Sequence, residues 1–184
     1  MTPEKIVLVI IGFAESKFEG KTLLQKQAYF ISQFLGLDLG YKAHFYGPYS
    51  QTIEDAINYN KYLGFVNEEC FVWGENPYGF EQKKFKYHVT KAGKKIIDLV
   101  KKKEKKEYRK IADVIKKIEK AGIIDDYIAI SIAAKVYYIL INSNDLQNIT
   151  NEKIEKIAAK FGWNIDQKSI ESAINFLRIM LDIK

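Results

Sequence analysis

Residues 20–66 place two amphipathic segments on either side of a short aromatic one, and few folds accommodate that order. Leu24, Ala28, Ile31 and Leu35 recur at helical spacing, widened by Leu23, Phe30 and Phe34. This predicts a helix over 21–35, ended by Gly36 in the position where a left-handed residue closes a helix. Residues 41–46 follow, with Ala43 and Phe45 to one side and His44 and Tyr46 to the other, and predict a short strand broken by Gly47-Pro48. Ser50 then caps a helix with Ile53, Ala56, Ile57, Asn60 and Leu63 inward and Gly64 at its end. Glu54 and Asp55 sit near its positive end, on the outer face with Gln51, Asn58 and Lys61.

The segment before this unit is apolar on all sides. Residues 6–14 (IVLVIIGFA) are too few to span a bilayer, and no small-residue cleavage site follows. Thr2 as cap, Pro3 at the first helical position and Glu4 in the first turn favour a buried helix over a strand. Gly20-Lys21-Thr22 invites a phosphate-loop reading. That motif needs a glycine five positions earlier, where Glu15 stands, and no alternating strand–helix pattern follows.

After residue 64, Phe65, Val66 and residues 71–73 suggest a strand, residues 74–84 a loop, and Phe85, Tyr87 and Val89, alternating with Lys86 and His88, a second strand. This is a hairpin with a long tip. Thr90 caps the next helix, which carries Ile96, Ile97, Leu99 and Val100. Residues 101–106 (KKKEKK) interrupt the apolar pattern and mark a boundary. Beyond it come amphipathic helices: one with Tyr108, Ile111, Ile115 and Ile118, one opened by Asp125 or Asp126, one capped by Thr150 and one over about 167–181. The fold class expected is therefore α+β, mostly α. A winged-helix-like unit with a small β-hairpin wing fills residues 1–100, and a helical extension fills 101–184, the latter a dimerisation surface or a second helix-turn-helix-like unit.

Charge narrows the function. Residues 81–120 hold 16 Lys and Arg against 6 Asp and Glu, a net of +10, while the rest of the chain, with 13 against 17, is at −4. Such a block suits an anionic polymer. Nearly all the positive charge is lysine, which meets phosphate as a point charge, so contact with double-stranded DNA through its backbone is expected rather than base reading. The candidate contacts are Lys83, Lys84 and Lys86 on the wing, Lys91, Lys94 and Lys95 on the helix after it, and Gln51 and Lys61 on the third helix. Carboxylates near the start of the third helix count against its direct insertion into a groove. So does the connection before it of about fifteen residues, longer than a helix-turn-helix turn.

Other chemistry is thin. His44 and His88 have no metal-ligand spacing, and Cys70, the single cysteine, reads as a small packed residue in a reducing, cytoplasmic setting. No nucleophile–base pair suggests an enzyme, and no cofactor is expected. The rings of 44–50 (HFYGPYS) read as packing against the second and third helices, with Gln25, Lys26, Tyr46 and Tyr49 a possible polar patch.

The motifs together resemble the YwgA-like family of bacterial and archaeal proteins. They are Gly20 with Leu24-Gln25-Lys26, the FYGPYS of 45–50, the LGFV of 63–66 and the YHVTKAG of 87–93. The likeness covers about residues 1–100 and implies a winged-helix-like fold without an assigned reaction. A more distant likeness to antitoxin-type domains rests on the L-Q-K-x-x-Y-F helix. Two functions are thus expected of the fold: a DNA-binding transcriptional regulator, dimeric through its C-terminal helices, or an antitoxin- or adaptor-type protein-interaction module without DNA.

Overall fold

The computed structural model describes residues 1–14, 17–75, 81–143 and 149–181. Within them the chain is α+β and mostly helical, with eight helices and one three-stranded antiparallel sheet. In order these are α1 (Pro3–Phe13), β1 (Phe18–Glu19), α2 (Lys21–Leu35), α3 (Gln51–Tyr62), β2 (Val66–Glu75) and β3 (Glu81–Val89), then α4 (Lys91–Lys103), α5 (Lys105–Lys120), α6 (Tyr127–Ile141), α7 (Asn151–Lys160) and α8 (Gln167–Leu181).

The apolar N-terminal run is a helix, and every residue from Ile6 to Ile11 is buried. Five elements (α2, α3, α4, α5 and β3) pack around α1, which is why it carries no polar face. Pro3 opens it. Thr2 stands extended at the cap position, but its side chain makes no capping bond. Asn60 of α3 donates from Nδ2 to the Glu4 carbonyl at 2.9 Å, which fixes α3 across the start of α1.

Local signals place the other helix ends well. Ser50, Thr90, Asp126 and Thr150 each accept a backbone N–H from the first turn of the helix they precede. Gly36 ends α2 in the left-handed conformation, at φ 68°. The KKKEKK run turns a corner. Glu104 leaves helical geometry between α4 and α5, and its carboxylate takes the Lys5 ammonium from α1.

The strands depart further from expectation. Residues 41–46 form no strand. A single bridge joins Lys42 to Tyr49, and between them the chain reverses, with the Gly47 N–H donating to the His44 carbonyl at 2.8 Å. The reversal needs Gly47 at φ 98°, and among the described residues no neighbouring strand pairs with 41–46. Phe45 and Tyr46, expected to pack, are 69% and 55% exposed at its tip. Conversely, Gly74, Glu75 and residues 81–84 belong to the hairpin strands, because Lys83 pairs Val72 and Lys84 pairs Phe71. The hairpin tip expected at 76–80 lies outside the described residues. Cys70 is exposed on β2 rather than packed. The two residues of β1 pair with β3, Phe18 opposite Tyr87 and Glu19 opposite Lys86, and give the order β1-β3-β2.

One buried cluster runs from Ile6 to Met180. Helix α2 is buried at every position from Leu23 to Ser32 and packs against α1, α3, α5 and α6. Its Phe30 stacks on Tyr137 of α6 and meets Phe176 of α8 edge-on.

Gly93 closes the first turn of α4 onto the junction of α3 and β2. A Cβ there would lie 2.3 Å from the Phe65 carbonyl oxygen and 2.8 Å from Val89 Cγ1. Gly93→Ala should therefore lower stability by about 2–3 kcal/mol, read from the urea midpoint at unchanged slope.

Candidate nucleic-acid interface

The outer face of α3 carries Gln51, Thr52, Asp55, Asn58, Tyr59 and Tyr62. Inward residues Ile53, Ala56, Ile57 and Asn60 pin the opposite face, so this set points away from the core. Tyr62 is 86% exposed. Gln51 donates from Nε2 to Asp55 Oδ1 at 2.9 Å and lies 3.4 Å from the Tyr49 hydroxyl. Glu54, expected beside Asp55 on the outer face, instead turns inward and pairs with Lys21 at 2.7 Å. Tyr87 lies buried nearby. Burial, with the charges of Glu68 and Glu54 alongside, pushes the Tyr87 hydroxyl well above its ordinary range. Lys61 pairs with Glu68 at 2.6 Å from the other side. The face of α3 thus presents one carboxylate, already bonded to Gln51.

The β2–β3 hairpin is less basic than its sequence. Glu19 of β1 takes both Lys84 and Lys86, the latter at 2.7 Å. Those two ammonium groups hold the Glu19 carboxyl down to about 2. Lys86 also lies over the Phe71 ring, 5.2 Å from its centroid. On the same sheet face Glu69 takes Lys17 at 3.2 Å and His88 at 2.9 Å. Lys83 is exposed on the opposite side of the strand.

The helix after the hairpin, α4, is different. Lys91, Lys94 and Lys95 are exposed, and no carboxylate among the described residues pairs with them. Residues 91–120 carry 13 Lys and Arg against 5 Asp and Glu, a net of +8. Thr90 brings this charge to α3. Its N–H donates to the Phe65 carbonyl at 3.0 Å and its Oγ1 to the Gly64 carbonyl at 2.8 Å. The basic first turn of α4 is thereby fastened to the end of α3 that bears Tyr62. Sequence reasoning saw the Thr90 cap but not its second partner, because one hydroxyl serves both Gly93 of its own helix and Gly64 of another element.

The four residues of the possible polar patch do not meet on one surface. Gln25 and Lys26 lie buried behind the 44–50 loop. Gln25 accepts from the Ser50 N–H at 3.1 Å and donates to the Ser50 carbonyl at 3.0 Å, and Lys26 donates to the Pro48 carbonyl at 2.7 Å. Tyr46 is on the outside of that loop, edge-on to Phe45, and Tyr49 is half-buried between. Among the described residues no three His, Cys, Asp or Glu side chains come together, and no helix is long and apolar enough to cross a membrane. A scan against protein-family models and a search of curated proteins each found no match.

Lys26 has its own consequence for stability. Burial, and then the nearby Lys135 charge, lower its ammonium from an ordinary 10.5 to about 7. Between those values the unfolded chain holds a proton that the folded chain has released, so raising the pH favours folding. The stability of the wild type relative to Lys26→Met should rise from about pH 7 to about pH 9.5, by at most about 1.4 kcal/mol per unit. Urea midpoints of both proteins across that range measure it.

Proposed function

We propose that this chain is a winged-helix-like, cytoplasmic DNA-binding regulator that holds duplex DNA mainly through backbone phosphates. The order α1-β1-α2-α3-β2-β3, with two long strands forming a hairpin and a short one beside it, supports the winged-helix reading. The observation that carries the function is the Thr90 junction. It sets the polar and aromatic face of α3 next to Lys91, Lys94 and Lys95, whose charge nothing on the protein offsets among the described residues. Asn58, Tyr59 and Tyr62 are hydrogen-bonding and stacking groups suited to a sugar–phosphate edge. The inward turn of Glu54 removes much of the repulsion that the α3 sequence implies. Weight passes from Lys84, Lys86 and Lys61, each bound to a glutamate, to α4 and α5. A homodimer built on the C-terminal helices would place two such surfaces on one duplex.

A salt series tests this directly. Anisotropy with a labelled duplex between about 50 and about 200 mM salt should show steep weakening, and replacing Lys91, Lys94 and Lys95 with Gln should flatten the log–log slope by about 2.7. Lys84→Gln with Lys86→Gln should change the slope by less. Absence of binding at low salt, or a slope indifferent to the α4 triple variant, removes the proposal.

A protein-interaction module of antitoxin or adaptor type is the second reading. It is favoured by exposed Phe45, Tyr46, Tyr59 and Tyr62 in the N-terminal half and by Phe71 and Val72 on the hairpin. In that case affinity capture from the native host returns a stoichiometric protein that Tyr59→Ala with Tyr62→Ala releases, and the salt series is flat.

A further inference from the structure

The first turns of α6 and α8 wall an open groove of about 410 Å³. Its floor is apolar. Ile132 and Phe176 line it, and Ala129, Ala133 and Ala173 leave depth that longer side chains would fill. The rim is polar, but its groups are already engaged. Asp126 accepts the Ile128 and Ala129 N–H groups on Oδ1, at 3.0 and 2.9 Å. Asp166 accepts the Ser169 N–H on one oxygen at 2.8 Å and the Ser169 hydroxyl on the other at 3.0 Å. The Ser172 hydroxyl donates to the Lys168 carbonyl of its own helix at 3.0 Å. A small-molecule site needs a few polar groups that converge on its interior, and these have turned to their own helix ends. What the groove offers is apolar depth, which suits a side chain carried by a protein surface.

A projection of the same character stands on its edge. Tyr127 and Ile128, in the first turn of α6, are each 56% exposed, and Ile128 itself borders the groove. Ile179 lies two turns beyond Ser172 on the same face of α8 and is also exposed, so the apolar strip continues past the groove. The two walls differ in charge. The α6 wall begins with Asp125 and Asp126. The α8 wall carries Lys168, which is exposed and pairs with no carboxylate among the described residues. A two-fold axis through such a groove sets each wall against the opposite wall of a second copy. Ile128 then faces the Phe176 floor, and Lys168 faces Asp125 and Asp126. Hole, projection and both signs of charge are thus present on one face, as a self-complementary surface requires.

We infer that the α6–α8 groove is a homodimer interface, with Ile128 of each copy seated in the groove of the other and Lys168 paired to Asp125 and Asp126 across the axis. The inference rests on the homodimer of the reading above, to which it gives an interface, and not on DNA binding.

Sedimentation equilibrium of the full chain without DNA tests it. The wild type should dimerise with a dissociation constant at or below about 10 μM, and Ile128→Asp and Ser172→Arg should each weaken the dimer at least about tenfold. Both positions are exposed, so both variants should keep the wild-type urea midpoint. Lys168→Glu should weaken the dimer as well, and adding Asp125→Lys should restore it, because the exchanged charges still meet across the axis. A monomer up to about 500 μM overturns the inference. So does a dimer indifferent to Ile128→Asp and Ser172→Arg, which leaves the homodimer in place with its interface elsewhere. The salt series decides the DNA reading separately.

Discussion

A helix buried on every side has to find a partner for each polar group it carries. Helix α2 meets this condition for three consecutive polar residues at its centre, though not for the Tyr29 hydroxyl, which is buried with no hydrogen-bond partner among the described residues. Gln25 holds both backbone groups of Ser50, Lys26 holds the Pro48 carbonyl, and Gln27 donates to the Ile124 carbonyl 97 residues away at 3.1 Å. Each partner is a backbone atom in a segment without regular structure of its own. The polar centre of α2 thus orders two connections that have no ladder to order them. Ser50 in turn caps α3, so the direction of the α3 surface traces back to Gln25. Glutamine accomplishes this neutrally. Lysine brings a titratable ammonium instead, which burial lowers from an ordinary 10.5 to about 7.

The helices were legible because their ends are written locally. A capping serine or threonine acts on a residue three positions along, and a closing glycine acts through its own dihedral, so Ser50, Thr90, Thr150 and Gly36 announce themselves without knowledge of the rest of the chain. Strands are different, because pairing is a property of two segments. Phe18 and Glu19 are too few to alternate visibly, and only β3 makes them a strand. Residues 41–46 alternate well but have no neighbouring strand among the described residues, and they turn instead of extending. Residues 81–84 look like loop until Phe71 and Val72 lie opposite them.

Charge follows the same division. That residues 81–120 are strongly basic is plain from composition. Which lysines are ion-paired is decided by tertiary packing, which brings Glu19 to Lys84 and Lys86 within that block and Glu54 and Glu68 to Lys21 and Lys61 outside it. Glu19 stands more than sixty positions from the hairpin lysines Lys84 and Lys86 that it pairs with. The inward turn of Glu54 answers to Lys21 on another helix, so no pattern within α3 foretells it. A helical wheel places a side chain by its Cα direction, and a long carboxylate at the edge of the buried face can go either way.

The indole bond between Trp163 and His44 spans 119 positions. During synthesis the N-terminal half, with α1, α2, α3 and the hairpin, leaves the ribosome long before α7 and α8 exist. Through that interval the 44–47 turn lacks the donor that fastens its outer end, and Lys135 lacks the ring beneath it. The aromatic tip is therefore among the last parts of the molecule to take its native position. The sequence separation of this contact makes its closure a late folding event, whatever the speed at which the helices form.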